Sequence, residues 1–102
     1  MNEIERLQKT ILDSQMIIID AKYKLGCCYY KGEGVEQDFE QAFNYWNEAA
    51  YLGHIKAIYG VGCCYHNGKG VKKNIDKALK YCKIAADAGC VSAQNILEKR
   101  KK

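Results

Sequence analysis

The stretch Ala21-Lys22-Tyr23-Lys24-Leu25-Gly26-Cys27-Cys28-Tyr29 returns 36 residues later as Ala57-Ile58-Tyr59-Gly60-Val61-Gly62-Cys63-Cys64-Tyr65. Further along, Gly32-Glu33-Gly34-Val35 returns at the same offset as Gly68-Lys69-Gly70-Val71. Over the whole unit 14 of 36 positions are identical, and the alignment needs no gap. Self-similarity at a fixed period of roughly 20–50 residues is typical of stacked repeat proteins. This repeat therefore decides the fold class.

Each unit predicts two helices joined by a glycine turn. Apolar residues recur at helical spacing on both sides of the Gly-x-Gly-Val segment, whose glycines can adopt positive φ at little steric cost. Asp38 and Asn74 stand where the second helix needs an N-cap. The predicted helices cover residues 19–31 and 39–52 in the first unit and residues 55–67 and 75–88 in the second.

Both ends of the chain fit incomplete units. Residues 3–15 align with the second helix of a unit but carry polar residues at its small apolar positions, so we predict a separate, degenerate capping helix. Residues 91–100 predict a closing helix. The expected architecture is an all-α, α/α superhelical solenoid of five or six helices in one domain. Its segments are a cap at 1–20, repeats at 21–56 and 57–92, and a partial third repeat with a basic tail at 93–102.

The order of the repeated residues resembles the SEL-one-like repeat family, a relative of the tetratricopeptide repeats. The matching positions in the first unit are Ala21, Leu25, Gly26, Tyr29, Gly32, Gly34, Val35, Asp38, Ala42, Trp46, Ala49, Ala50 and Gly53. The second unit departs from the pattern with Val61, Asn74 and Cys82. The resemblance implies a right-handed superhelix whose concave face, lined by the first helix of each repeat, binds proteins. It implies no shared catalytic residues.

Charge is distributed unevenly along the chain. The formal net charge is +4, with −3 in residues 1–56, +4 in residues 57–92 and a final run of four basic residues. We interpret that run as a solvated helix end, where cations are favourable, and expect no nucleic-acid partner. No apolar stretch is long enough to span a membrane, and the first residues do not form a signal peptide. The expected location is the cytoplasm.

Six cysteines are unusual in a chain of 102 residues. Cys28 and Cys64 replace apolar residues on the side predicted to be buried, which favours a packing role. Cys27 and Cys63 lie one repeat apart, roughly 10 Å by helix packing, which is too far for a disulfide. Adjacent helical cysteines diverge by ~100°, which disfavours zinc, so we expect no metal and no cofactor.

A disulfide is implied only by the resemblance. A cysteine-rich bacterial branch of the family joins cysteines at the spacing of Cys82 and Cys90, although there the pair lies about one helical turn later in the repeat. Whether these two residues are joined stays open at this point.

The binding surface follows from the helical wheel. If Ala21, Leu25, Cys28 and Tyr29 face inward, the opposite side of the first helices forms a ladder of aromatic and soft residues. Its members are Tyr23, Cys27, Tyr30, Tyr59, Cys63 and His66. Exposed tyrosines often carry binding energy, so we predict a protein or peptide partner there. In the alternative interpretation, Tyr23 and Tyr59 pack against neighbouring repeats.

The predicted function is therefore that of an adaptor or scaffold and not an enzyme, since the sequence contains neither a catalytic triad pattern nor a phosphate-binding loop. Two alternatives stay open. One is a small immunity or inhibitor protein for a toxin or effector. The other, suggested by the cysteine-rich branch, is a β-lactam-directed hydrolase. Weak self-association through the open solenoid ends is a further possibility.

Overall fold

The computed structural model describes residues 2–100 and contains five helices in chain order. They are α1 (Glu3–Lys31), α2 (Phe39–Tyr51), α3 (Ile55–Asn67), α4 (Ile75–Asp87) and α5 (Val91–Arg100). No strand occurs in the described part of the chain. Each helix packs on the next, and the array extends over 54 × 35 × 18 Å. The predicted all-α solenoid is confirmed.

Local signals set the helix ends. The Asp38 carboxylate accepts a hydrogen bond from the backbone N–H of Gln41 at 3.1 Å, and Asn74 accepts one from Lys77 at 3.0 Å. These bonds satisfy donors that a helix N-terminus otherwise leaves unpaired. Gly32 and Gly68 end the first helix of each repeat at φ values of 75° and 69°. The predicted ends of α2, α3 and α4 are therefore met to within one residue.

The predicted separate capping helix is wrong. Residues 3–15 belong to α1, which continues without a break for 29 residues. The first glycine inside α1 is Gly26, and the chain contains no proline, so nothing between residues 3 and 25 interrupts the helix. Residues 3–18 are exposed and extend beyond the packed part of the array.

Trp46 holds the first three helices together. Its side chain is 8% exposed and lies between Gly26 of α1 and Gly60 of α3, where any Cβ atom would meet the indole ring. Its Nε1 donates a hydrogen bond to the backbone carbonyl of Tyr23 at 3.1 Å. Around it pack Ala49, Ala57, Val61 and Cys64, all fully buried. A second cluster contains Cys82, Ala85, Ala86 and Ala93.

The predicted inward side of the first helices is correct only for α3. Ala57 and Val61 are fully buried, whereas their counterparts Ala21 and Leu25 are exposed, Leu25 by 43%. The same difference separates Cys64, which is fully buried, from the half-buried Cys28. The physical reason is position in the array: α2 packs over these residues of α3, whereas no helix within residues 2–100 packs over the matching side of α1.

Candidate partner-binding groove

The six residues of the predicted ladder form two rows. Residues 23, 27 and 30 lie on one face of α1, and residues 59, 63 and 66 lie on the matching face of α3, since spacings of four and three residues share a helix face. His66 is exposed and the other five are half-buried. The rows are therefore less exposed than predicted, and their role in binding stays a prediction.

Aromatic stacking fixes the row on α1. The ring of Tyr23 stacks on His54, with centroids 4.5 Å apart, and lies 6.4 Å from the ring of Trp46. Tyr30 lies 5.1 Å from Trp46 and meets the edge of Phe39 at the same distance. His54 is the N-cap of α3, so Tyr23 packs on the turn that leads from α2 into α3, within its own repeat. The alternative interpretation, in which Tyr23 and Tyr59 pack against neighbouring repeats, stays a prediction. The remaining exposed surface of Tyr23 is rigidly placed.

The tyrosine hydroxyls remain protonated over a wide pH range. Burial raises the pKa of Tyr23 to about 12, with a smaller contribution from the neighbouring Cys27 thiol. Burial likewise raises the pKa of Tyr59 to about 12, assisted by Cys63. Neutral phenols can donate or accept hydrogen bonds, so both residues offer polar contacts on an otherwise apolar face.

Tyr23 and Tyr59 share an open depression of about 600 Å³ at the edge of the array. Its other lining residues are Ile55, Lys56, Ala88, Gly89, Cys90, Val91 and Ser92. Two of the three tyrosines of the predicted ladder are thus brought together, whereas Cys63 and His66 line a different cavity. The row on α3 runs from the depression at Tyr59 to that cavity at His66.

The second cavity is an apolar hollow of about 280 Å³ near the C-terminal end, which we call the C-terminal hollow. It is lined by Gly62, Cys63, His66, Ala78, Leu79, Cys82, Ile96 and Arg100. The counterparts 36 positions earlier include Trp46 itself and most of the residues packed around it, namely Gly26, Cys27, Tyr30, Phe43, Gly60 and Cys64. In the second repeat Cys82 stands in place of Trp46 and His66 in place of Tyr30. Smaller side chains at these two positions leave the hollow open.

Ile96 refills part of the lost volume. It occupies the position of Gly60, whose hydrogen side chain admits the benzo edge of Trp46 in the first repeat. In the first repeat the large residue of the pair, Trp46, is on the second helix and faces Gly60. In the second repeat the large residue, Ile96, is on the following helix and faces Cys82, and it fills only part of the space that the indole ring would occupy. The remaining space suits one apolar side chain, with His66 and Arg100 beside it to contact polar groups.

The thiols in this hollow are poor nucleophiles. Burial raises the pKa of Cys63 and of Cys82, so both remain thiols at neutral pH. Because the thiolate is the reactive form, the geometry favours binding over covalent chemistry. All six cysteines lie in the described part of the chain and are free there, Cys82 and Cys90 included.

Other kinds of site have little support. Residues 2–100 contain no group of three or more histidine, cysteine or acidic side chains placed to hold a metal ion. Over the same residues, no helix combines the length and the apolar character needed to cross a membrane.

Six of the eight lining residues of the hollow were not predicted as site residues from the sequence. They are Gly62, Ala78, Leu79, Cys82, Ile96 and Arg100. A signal for the hollow existed, since the aligned repeats show cysteine in place of Trp46 and isoleucine in place of Gly60. The alignment could not show that part of the freed volume stays open.

Comparison with known structures finds close relatives of this fold. The chain is 37% identical to c5321, a protective antigen of uropathogenic Escherichia coli strains displaying an SLR fold, with a TM-score of 0.75 over 79% of this chain and 17% of that one. It is 32% identical to a Sel1 repeat protein from Oxalobacter formigenes, with a TM-score of 0.76 over 79% and 23%. It is 26% identical to Helicobacter pylori cysteine rich protein B, with a TM-score of 0.73 over 94% and 72%.

The chain spans about a fifth of the length of the first two proteins. A search of curated proteins finds no match. The family model of the Sel1 repeat matches residues 19–54 and 55–90, the same 36-residue period in a phase two residues earlier than predicted. Sel1 repeats generally form scaffolds for protein interactions, and the fold is typically non-enzymatic. Because the two matches cover well over half of the residues, the chain belongs to the Sel1 repeat family.

Proposed function

We propose that the protein is an interaction adaptor that binds a segment of another protein along the two rows of its first helices. The segment places one large apolar side chain in the C-terminal hollow and extends over α3 toward Tyr59 and Tyr23. The single observation that carries this proposal is the hollow itself, an apolar space of about 280 Å³ where the preceding repeat places Trp46.

Charge near the hollow suggests the chemistry of the segment. Arg100 lines it, Lys99 precedes Arg100 in the last turn of α5, and residues 57–92 carry a net charge of +4. Complementary charge steers association and fixes register. The preferred segment therefore carries an aromatic or large aliphatic anchor with acidic residues beside it.

The rigid tyrosines supply the second part of the surface. Tyr23 and Tyr59 both line the shared depression, and their raised pKa values keep both hydroxyls protonated. Tyrosine contributes much contact area at little cost in conformational entropy, because it has only two side-chain torsions. Stacking of Tyr23 on His54 reduces that cost further.

A peptide-display selection on the purified protein tests this function. We expect the enriched peptides to share an apolar anchor followed or preceded by acidic residues. His66→Trp covers the hollow and Arg100→Glu reverses the adjacent charge, so each should weaken binding of a selected peptide at least tenfold. Both residues are exposed, so neither change disturbs the core.

The matched control is Asn67→Trp, which adds the same ring at an exposed neighbour that does not line the hollow. Its affinity should equal that of the parent protein. The Tyr23→Phe and Tyr59→Phe pair removes only hydroxyls and should cost a few-fold. Selected peptides without a shared anchor, or equal losses for His66→Trp and Asn67→Trp, would reject the proposal.

A further inference from the structure

The N-terminal half of α1 carries an apolar face that the array does not use. Ile4, Leu7, Ile11 and Ile18 are 66%, 56%, 58% and 52% exposed. They belong to a series that alternates steps of three and four residues over 25 residues of α1. The full series, which we call the α1 seam, is Ile4, Leu7, Ile11, Ser14, Ile18, Ala21, Leu25 and Cys28. An alternating three-and-four pattern sustained over more than three heptads is typical of a helix that packs along another helix.

The seam faces away from the rest of the molecule. The opposite side of α1 packs on the array, where Tyr23 and Tyr30 contact Trp46 and Gly26 is buried against it. The C-terminal part of the seam, however, is a surface that this fold covers elsewhere. Its positions 21, 25 and 28 correspond to Ala57, Val61 and Cys64 of α3, which are fully buried behind the preceding helices. None of the helices described between residues 2 and 100 takes the corresponding place on α1.

We propose that the α1 seam binds the α1 seam of a second copy of this chain in an antiparallel orientation. In this dimer the exposed N-terminal half of one α1 covers Ala21, Leu25 and Cys28 on α1 of the other copy. Within each copy, α2 covers the corresponding residues of α3 in the same way. This proposal is independent of the groove proposed above, which lies on the other side of the array's first helix.

Side-chain size supports the antiparallel register. With residue 16 at the two-fold axis, each layer joins two positions whose numbers sum to 32. The layers place Ile4 against Cys28, Leu7 against Leu25, Ile11 against Ala21, and Ser14 against Ile18, and symmetry repeats each of them. Every small residue of the seam faces an isoleucine. A parallel pair would instead stack Ser14 on Ser14 and Cys28 on Cys28, leaving small residues opposed in the same layers.

Charge supports the same orientation. Residues 3–15 of α1 carry a net charge of −1 and residues 16–31 carry +2. Antiparallel pairing places the acidic half of each helix beside the basic half of the other. The flanking positions of the seam pair with an offset of two residues from the layers, so their numbers sum to 34. Glu3 then lies beside Lys31, and Ile17, which is 69% exposed, lies beside its own copy. Such flanking pairs set helix orientation in coiled coils.

Sedimentation equilibrium between about 1 and 200 µM tests the association. The parent protein should approach twice its 11.6 kDa mass as concentration rises. Ile11→Gln removes an apolar layer and should raise the dimer dissociation constant at least tenfold. The matched control is Leu12→Gln, because Leu12 is 61% exposed on the same part of α1 but lies off the seam. It should leave the constant unchanged, and circular dichroism should show equal helicity in all three proteins.

Cross-linking tests the orientation. In the antiparallel dimer of the Ile4→Cys variant, the introduced thiol faces Cys28 of the other copy, so mild oxidation should join positions 4 and 28 between chains. Glu3→Lys should weaken the dimer, and adding Lys31→Glu should restore it. A monomer at 200 µM, equal losses for Ile11→Gln and Leu12→Gln, or a dominant link between the two Cys28 residues would overturn the proposal.

Discussion

The indole nitrogen of Trp46 donates a hydrogen bond to the backbone carbonyl of Tyr23, 3.1 Å away, while the same ring fills the space beside Gly26. Packing, and not backbone conformation, therefore requires glycine at position 26, because its φ is not in the positive range that favours glycine. The ring approaches α1 closely enough to reach a backbone carbonyl only because no Cβ intervenes.

Gly26→Ala should accordingly destabilise the protein. Overpacking a filled core costs about 1–3 kcal/mol, and we expect the upper part of that range because the added Cβ would overlap the Trp46 ring. That cost exceeds the roughly 1 kcal/mol that alanine gains over glycine in a helix. We expect a net loss of about 1–2 kcal/mol in urea unfolding. The matched change Gly62→Ala should be near neutral. Its Cβ would lie 3.3 Å from Tyr81 Cβ, 3.4 Å from the Ala78 carbonyl oxygen and 3.5 Å from the Cys82 backbone nitrogen, so only a small adjustment offsets the gain in helix propensity. Equal effects of the two changes would contradict this account of Trp46.

Cys82 and Ile96 should be energetically coupled. Cys82→Trp restores the first-repeat residue but brings the ring against Ile96, and we expect a loss of about 1–3 kcal/mol. Ile96→Gly alone removes apolar contacts and helix propensity, for a loss of about 2–4 kcal/mol. The double variant recreates the arrangement of Trp46 and Gly60. Its loss in free energy of unfolding should be smaller than the sum of the two single losses by at least about 1 kcal/mol. Additive losses in a four-protein urea cycle would show that the two repeats do not pack alike.

Gly34 and Gly70 form a matched pair with different surroundings. Both have positive φ, 75° and 73°, so alanine is strained at either position. A Cβ at Gly70 would also collide with the backbone carbonyl of Phe39, whereas Gly34 has nothing within 4 Å. We expect Gly34→Ala to cost about 1 kcal/mol and Gly70→Ala at least 2 kcal/mol more in thermal or urea unfolding. A smaller loss at Gly70 would mean that the junction of the two repeats is looser than described.

Stability should fall at alkaline pH because of Tyr23 and Tyr59. Both have a folded-state pKa of about 12 against 10 when unfolded, so folding favours the protonated phenol. Their contribution is complete below pH 10 and is lost as the pH rises toward 12. Absorbance at 295 nm should show these two of the eight tyrosines among the last to ionise. In the Tyr23→Phe, Tyr59→Phe variant the loss between pH 10 and 12 should be smaller, and an unchanged loss would assign it to other groups such as the buried Cys64 thiol.

Helix ends could be predicted because short-range chemistry sets them. Asp38 and Asn74 each cap the helix that begins at the next residue, by accepting a hydrogen bond from the backbone N–H three residues later. The glycine turns likewise act within a few residues. The length of α1 could not be predicted in the same way. The pattern at residues 3–15 matched a second helix, but a helix ends only where a residue stops it, and none of the residues before Gly26 does.

The site was predictable in part for a related reason. Helical spacing alone places Tyr23, Cys27 and Tyr30 on one face. How much of that face is buried depends on which helices come before and after it, and this is not a local property. Ala21 and Leu25 carry the same apolar character as Ala57 and Val61, yet only the second pair has a helix packed over it.

Trp46, the chain's only tryptophan, makes the first three helices one cooperative unit. Its ring packs against both α1 and α3, so the separation of either helix from α2 exposes the ring and weakens its packing on the other helix. Between α3, α4 and α5 the corresponding position is a cysteine beside a hollow. There α5 is held by Ala93 with Ile96 and Leu97, and no indole ring joins it to the other two helices. Backbone amides of α5 should thus exchange with solvent earlier than those of α3, and we expect the molecule to unfold first from the end that carries the C-terminal hollow.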